Sequence, residues 1–480
     1  MVWGIRLLFL AAALFGAVSA VRRPPGSFFR RWDLRPPTPR RDAGEVIRGW
    51  MDQKLDHYDP TSNVTWKQLY FASNTYYKPG GPAFLFISGE GPASASWVQG
   101  GQMVDLAEAH GAIAFELEHR YYGDSHPTPD LSTKNLRFLT SEQALADLAY
   151  FIQLMNKQFE LEDTKWIVFG GSYAGNLAAW MRLKYPHLVH AAVASSAPVL
   201  AQTDFTGYFE VVGSVMNASS TQCYDDVKNA TQELNKLLQT EEGVQKVTKL
   251  FNLCKPIDTN IKNDVYYLQS SYAGMFASTV QYNSYERDDI GALCKEVTDP
   301  ERGATPLERY VRVNVINTNE CLNISFNDIK EFYGNVSWDG YSLLRAWMYQ
   351  TCTEYGYYQT TDSPNQPFSD GFPLQFYIDQ CTVLYGEEFN KNLVDMSVER
   401  TNILYGGQHP EVTNVVFVNG GADPWHVLGV LQDLSPSAQA VIIDGFSHCG
   451  DMYGIESDEP PQLKKAHEKI AALVKDWLAQ

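Results

Sequence analysis

The segment 165–184, KWIVFGGSYAGNLAAWMRLK, leaves few folds open to this chain. Residues 165–169 form a short apolar run of the kind that becomes a buried strand, and 176–184 have the spacing of a helix. Only Gly170-Gly171-Ser172-Tyr173-Ala174-Gly175 separates them. A strand that turns straight into a helix belongs to a mostly parallel sheet covered by helices on both faces. The turn has a second meaning. A nucleophile elbow bends so sharply that only small residues fit two places either side of its serine, and here those places hold Gly170 and Ala174. Ala174 departs from the glycine of G-x-S-x-G but still meets the steric need. The Ser172 hydroxyl would stand above the sheet's edge, at a helix N-terminus whose dipole favours developing negative charge.

The same alternation recurs on both sides. Segments 82–88 (PAFLFIS), 112–118 (AIAFELE) and 191–194 read as further buried strands, and 141–158 as a helix. Near the end, 414–419 (NVVFVN) and 438–443 (AQAVII) are strands, followed by a helix over 461–478. The stretch between, about 201–400, is richer in helical pattern and carries most of the cysteines. Of Cys223, Cys254, Cys294, Cys321, Cys352, Cys381 and Cys449, all but the last fall between 223 and 381. We therefore expect an α/β-hydrolase domain made of 45–200 and 401–480, with 201–400 inserted as a mainly helical, disulfide-stapled cap. A chain of 480 residues is long enough for one large α/β domain of this kind. No C-x-x-C occurs, so the cysteines indicate neither a zinc ribbon nor a redox dithiol. Six cysteines allow 15 pairings, and spacing does not choose among them.

The ends and the charge place the chain in a cell. Residues 1–20 hold one Arg, an apolar run over 7–17, then Val18-Ser19-Ala20, the pattern of a signal peptide cleaved after Ala20. Such a run is too short to cross a hydrocarbon layer of ~30 Å, so no membrane anchor is expected. Residues 21–44 carry seven Arg and five Pro and read as a disordered arm, or as a propeptide processed at Arg40-Arg41. Five N-x-[ST] sequons, at Asn63, Asn217, Asn229, Asn323 and Asn335, suit a glycoprotein of the secretory route, lysosomal, endosomal or secreted. With 38 Lys+Arg against 56 Asp+Glu the net charge is −18, which argues against a nucleic-acid partner. With no H-e-x-x-h, Walker or dinucleotide motif, we assign no metal and no cofactor.

A nucleophilic serine needs a base, and the base an orienting carboxylate. In the order Ser…Asp…His, both partners follow the serine on loops after later strands. Asp423 follows the strand 414–419 and His448 follows 438–443, so three loops at one end of a parallel sheet can converge. The rival base is His426, three residues beyond Asp423. The second oxyanion donor would come from Gly89 or Glu90, after an early strand, and the first from the Tyr173 N–H. In Glu118-His119-Arg120 the opposite charges two residues apart read as a buried ion pair fixing loops beside the site. A carboxylesterase or lipase on the same elbow, and a catalytically silent binding protein, stay open as alternatives.

These residues also carry a resemblance. Glu118-His119-Arg120-Tyr121-Tyr122-Gly123, Asn135-Leu136-Arg137-Phe138-Leu139, Gly170 to Gly175 and Asp423-Pro424-Trp425 resemble the lysosomal prolyl carboxypeptidase and dipeptidyl peptidase II family of serine exopeptidases. Within it, Gly170 to Gly175, Tyr349-Gln350-Thr351-Cys352-Thr353-Glu354 and Ser447-His448-Cys449 look most like the thymus-specific serine protease branch. The resemblance implies an α/β-hydrolase capped by a helical insertion, a triad falling on Ser172, Asp423 and His448, and cleavage of short peptides next to proline. It also implies a Cys352–Cys381 disulfide, with Trp425 as an aromatic wall of the substrate pocket. One position departs: where the proline-cleaving relatives carry Met four residues after the serine, this chain has Asn176. About one helical turn beyond Ser172, Asn176 would border the pocket and broaden the preference beyond proline. Whether the amino or the carboxyl end of a peptide is recognised, and whether the protein is an oligomer, stay open.

Overall fold

Successive residues of the central strands turn to opposite sides, and the two sides build two cores. Phe84, Phe86, Ile167, Phe169, Val416 and Val418 pack on one face, Leu85, Ile87, Trp166, Val168, Val415 and Phe417 on the other. A strand apolar on both sides can only be sandwiched, as parallel sheets require. The computed structural model describes residues 35–161, 163–283, 288–314, 321–339 and 342–480. The expected signal peptide and the first part of the arm, 21–34, lie outside the described residues.

The strands are β1 (Ile47–Lys54), β2 (Thr65–Ser73), β3 (Ala83–Ile87), β4 (Ile113–Leu117), β5 (Trp166–Gly171), β6 (Val189–Ser195), β7 (Gln202–Asp204), β8 (Gly356–Tyr358), β9 (Val415–Gly420) and β10 (Ala438–Ile443). Eight of them form one sheet in the order β1-β2-β4-β3-β5-β6-β9-β10; β1 with β2 and β2 with β4 are antiparallel, and every other pair is parallel. The antiparallel edge was not anticipated from the sequence. Strand β1, IRGWMDQK, is a solvent-facing edge whose polar alternation resembles a loop.

Helices cover both faces. On one side lie α1 (Gln102–His110) and, from the far end of the chain, the C-terminal helix Pro461–Ala479, which buries Leu463, Ile470, Val474 and Trp477. On the other lie α2 (Thr133–Leu136), α3 (Ser141–Phe159) and α4 (Tyr173–Lys184). Helix α3 starts where Thr140 accepts the N–H of Gln143 and buries Leu145, Leu148, Phe151, Ile152 and Met155, an i, i+3, i+4 stripe.

Between β6 and β9 the chain leaves the sheet. It runs through α5 (Gly207–Ser219), α6 (Thr221–Leu237), α7 (Glu241–Leu250), α8 (Lys262–Gln281), α9 (Asp289–Thr298), α10 (Pro306–Asn314), α11 (Phe326–Tyr333), α12 (Ser342–Gln350), α13 (Leu374–Tyr385) and α14 (Lys391–Tyr405). The C-terminal helix Pro461–Ala479 is thus α15. Strands β7 and β8 pair in parallel inside this stretch. Three disulfides staple it: Cys223–Cys294, Cys254–Cys321 and Cys352–Cys381. Cys449 is a buried free thiol. This is the α/β-hydrolase architecture with a helical insertion.

Two sequence readings change. Residues 35–44 do not hang free: the Arg40 N–H donates to the Gln99 carbonyl at 2.9 Å, and its guanidinium pairs with Asp105 at 3.0 Å and Glu108 at 2.8 Å on α1. Nor do Glu118 and Arg120 pair with each other. Arg120 forks onto Asp147 of α3 with two bonds of 2.6 Å, while Glu118 accepts the N–H groups of Ala93 and Asp124. Both residues lie beyond the end of β4 at Leu117, where strand alternation no longer sets side-chain direction, and each finds its partner elsewhere.

Candidate active site

The elbow forms because three positions crowd out any side chain and a fourth admits only a methyl group. A Cβ on Gly170 would lie 2.2 Å from the Ala174 carbonyl oxygen, and one on Gly175 2.8 Å from that of Ser195. One on Gly171 would strike the Met452 sulfur at 2.2 Å. Ala174 meets the turn with a methyl group, which sits against Gly89. Ser172 itself takes φ 59°, ψ −131°, a strained backbone for a residue with a Cβ, and its N–H is held by the Ser195 carbonyl at 2.9 Å. Its carbonyl starts α4 by accepting from Gly175 and Asn176. The Tyr173 N–H, first in the helix, has no intrahelical partner by construction.

The other two loops arrive from β9 and β10. His448 Nδ1 is 2.7 Å from Asp423 Oδ2, both residues being buried, and the second Asp423 oxygen accepts the Trp425 N–H at 2.9 Å. The ring of His426 instead meets the main-chain oxygen of Asp423 at 2.6 Å, away from the carboxylate. His448 Nε2 has no hydrogen-bond partner among the described residues, and His448 lines a cavity of about 60 Å³ together with Ser172, Gly89, Glu90 and Tyr282. Burial by itself disfavours the imidazolium. The Asp423 carboxylate outweighs burial and holds His448 well above its ordinary value. Cys449 next to it stays a neutral thiol at neutral pH, because burial pushes it up. An imidazole tied at one nitrogen to a carboxylate, and unbonded at the other beside a serine, can take and return a proton.

A second cavity of about 80 Å³ also borders Ser172, walled by Tyr173, Pro198, Tyr208, Trp347, Tyr357 and Trp425 among others. Trp425 is one of its walls. Asn176 is not: it is fully buried behind them, donating to the Pro198 carbonyl and the Tyr357 hydroxyl at 3.2 Å each. It touches the cavity's walls at Pro198 and Tyr357 without lining the cavity itself. Helical spacing put Asn176 on the right face, but α4 is covered there by the segment around β8.

Several polar residues of the site escaped the sequence reading. The Tyr173 hydroxyl meets His119 Nε2 at 3.0 Å and Gln350 Nε2 at 3.1 Å; Gln350 accepts from Tyr122 and donates to Glu354, which accepts from Ser141. Burial lowers His119 to about 4, so the ring is neutral. This network joins the motif 118–123 to the motif 349–354 beneath the elbow, so both motifs were visible but their contact was not. Glu116 lies under the 88–94 turn, accepting from Ser88 at 2.9 Å and from the Ser94 N–H at 3.1 Å; burial raises it to about 8. Its neighbour Glu118 is raised to about 7, again by burial. Behind His448, Ser195 donates to Asp451 at 2.5 Å and the Ser196 hydroxyl accepts the Cys449 N–H at 2.9 Å.

Of the sequons, Asn63, Asn217, Asn229 and Asn335 are exposed, and Asn323 is half-buried with its amide on Asp328. Among the described residues no helix is long and apolar enough to cross a membrane, and no group of three or more His, Cys, Asp or Glu is placed to hold a metal.

Comparison with known proteins adds the family. Likeness to solved structures is slight: a proline iminopeptidase of Mycobacterium smegmatis is 12% identical, with 90% of this chain and 98% of that one covered, at a TM-score of 0.35. The thymus-specific serine protease of Mus musculus is 37% identical over 450 residues, covering 90% of this chain and 87% of its own length. The human protein of that name is 35% identical over 450 residues, with 90% and 86% covered. A lysosomal Pro-X carboxypeptidase of Bos taurus is 29% identical over 449 residues, with 90% and 87% covered. Residues 53–470 match the family described as serine carboxypeptidase S28, and the chain belongs to that family of serine-type peptidases.

Proposed function

We propose that the protein is an exopeptidase that cleaves short peptides through an acyl-enzyme, with Ser172, Asp423 and His448 as its triad. The Ser172 hydroxyl attacks the peptide carbonyl while His448 Nε2 takes its proton. Collapse of the tetrahedral species breaks the C–N bond, and His448 returns the proton to the leaving amine. Water, deprotonated by the same imidazole, then releases the acyl group. Asp423 fixes the imidazole tautomer. The Tyr173 N–H and the main chain of Gly89 or Glu90 receive the oxyanion. The observation that carries this reading is the buried 2.7 Å contact between His448 and Asp423, at a histidine that shares a cavity with an elbow serine.

The insertion at about 201–400 acts as a cap on the domain formed by 45–200 and 401–480, admitting only short or unfolded ends of peptides. Preference for residues next to proline is the narrower form of this reading. The protein travels the secretory route to a lysosomal, endosomal or extracellular site after losing residues 1–20, and carries glycans at its sequons.

The test is active-site labelling beside peptide and ester assays. A fluorophosphonate should mark Ser172 in the folded protein, peptides should be turned over faster than simple esters, and Ser172→Ala should abolish both labelling and turnover. If the alanine variant keeps activity within tenfold of the parent, the mechanism is wrong.

A further inference from the structure

A third cavity, of about 190 Å³, lies within the insertion and shares Gly274, Ala277, Trp347, Tyr357, Gln359 and Trp425 with the pocket beside Ser172. None of the residues lining it is charged. Four of its polar side chains are already committed: Ser270 donates to the Tyr267 carbonyl, Thr351 to Met348, Tyr377 to Gln359 and Gln380 to Phe376. What faces the space is mainly apolar and largely aromatic, including Phe209 and Phe372, whose rings meet edge-on with centroids 5.3 Å apart. An apolar cavity of ~150 Å³ holds one benzene ring. This one is slightly larger, and its T-shaped walls offer a ring the edge-to-face contacts that aromatic groups prefer.

The side of the scissile bond follows from His448. In the mechanism above it hands a proton to the leaving amine, and it lines the smaller cavity but not the pocket walled by Trp425. The leaving residue lies there. The pocket walled by Trp425 and Tyr357 then takes the residue whose carbonyl is attacked, and the apolar cavity beyond it lies on the acyl side. We propose that this cavity is a subsite for an aromatic side chain on the residue immediately before the one whose carbonyl is attacked, so that the enzyme selects peptides by two consecutive acyl-side residues. The proposal rests on the peptidase reading of Ser172.

The experiment uses the full chain and short peptides of one sequence, varied only at that residue through Gly, Ala, Leu, Phe and Trp, with products identified by mass spectrometry. Phe should exceed Gly by at least tenfold in kcat/KM. Ser271 lies in α8, is buried and lines this cavity but not the pocket at Ser172. Ser271→Phe should fill the space and bring the Phe-to-Gly ratio within threefold. Leu344 of α12 also lines the cavity, and Leu344→Ala should shift the optimum from Phe towards Trp; it serves if the first variant fails to fold. Turnover with Phe and Gly peptides within threefold of each other in the parent overturns the subsite alone, as does a preference that survives Ser271→Phe in folded protein. Absence of turnover with every peptide overturns the peptidase reading and the subsite together.

Discussion

At the scale of single residues, Asp423 decides what His448 can do. The imidazole is buried, which favours its neutral form, and the carboxylate at 2.7 Å reverses that preference. Only neutral His448 can accept the serine proton. Activity should therefore rise as pH climbs through a value above the ordinary histidine range, and kcat/KM against pH should show that ascending limb. The linkage to folding has the opposite sense. A folded value above the unfolded one means that the pair stabilises the protein fully below about pH 6.5, and that this contribution is lost as pH rises through the folded value. In Asp423→Asn the pull of the carboxylate is gone, so the limb should move to lower pH while kcat drops by roughly 10⁴ from loss of the tautomer. An unmoved limb in the Asn variant would assign that titration to another group. Ser172, Asp423 and His448 were legible as a candidate trio because each follows a strand, and strand ends are what hydrophobic patterning locates best. Asn176 was not, since a helical repeat gives its face but not the Tyr357 and Pro198 that cover it.

Among elements, α8 connects the insertion to the site. Its last turn supplies acceptors to the histidine loop: the Gln281 carbonyl takes the His448 N–H at 2.9 Å and the Val280 carbonyl takes the Ser447 hydroxyl at 2.7 Å. The Gln281 side-chain oxygen also accepts from Trp425 Nε1 at 3.1 Å and from the Tyr208 hydroxyl at 2.7 Å. One amide thus sets two walls of the substrate pocket, while its main chain steadies the base. Gln281→Leu removes the side-chain acceptor and leaves the main-chain bond in place, stranding two buried donors at about 1–3 kcal/mol each. Steady-state kinetics should then show KM rising about tenfold with kcat within threefold, because the pocket loosens and His448 does not. A loss confined to kcat would place Gln281 with the proton transfer instead. Sequence patterning showed a helix-rich stretch here, yet contacts between residues more than 140 positions apart, like the Trp425–Gln281 bond, have no local signature.

Across the whole molecule, the disulfides and the hydrophobic core suggest different units of stability, and their conflict can be resolved by experiment. All three bridges lie between β6 and β9, so covalent staples treat the insertion as a separate body. The core does not. One continuous cluster runs from Phe115 and Val168 in the sheet through Leu177 and Trp180 of α4 to Tyr208, Phe276 and Tyr355 in the insertion. The buried chain from His119 through Tyr173 and Gln350 to Glu354 crosses the same boundary. Burying apolar area outweighs any single bridge, and a shared core makes partial unfolding expose surface on both sides. We therefore expect one cooperative transition for sheet and insertion together. Replacing Cys352 and Cys381 by Ala should lower the stability of the sheet as well, by roughly 2–5 kcal/mol, although neither cysteine belongs to it. Hydrogen exchange read at β5 and at α8 should show both segments losing the same protection in the double variant. If β5 keeps its protection while α8 loses it, the insertion unfolds on its own, and the boundary at which the chain leaves the sheet is a true domain boundary.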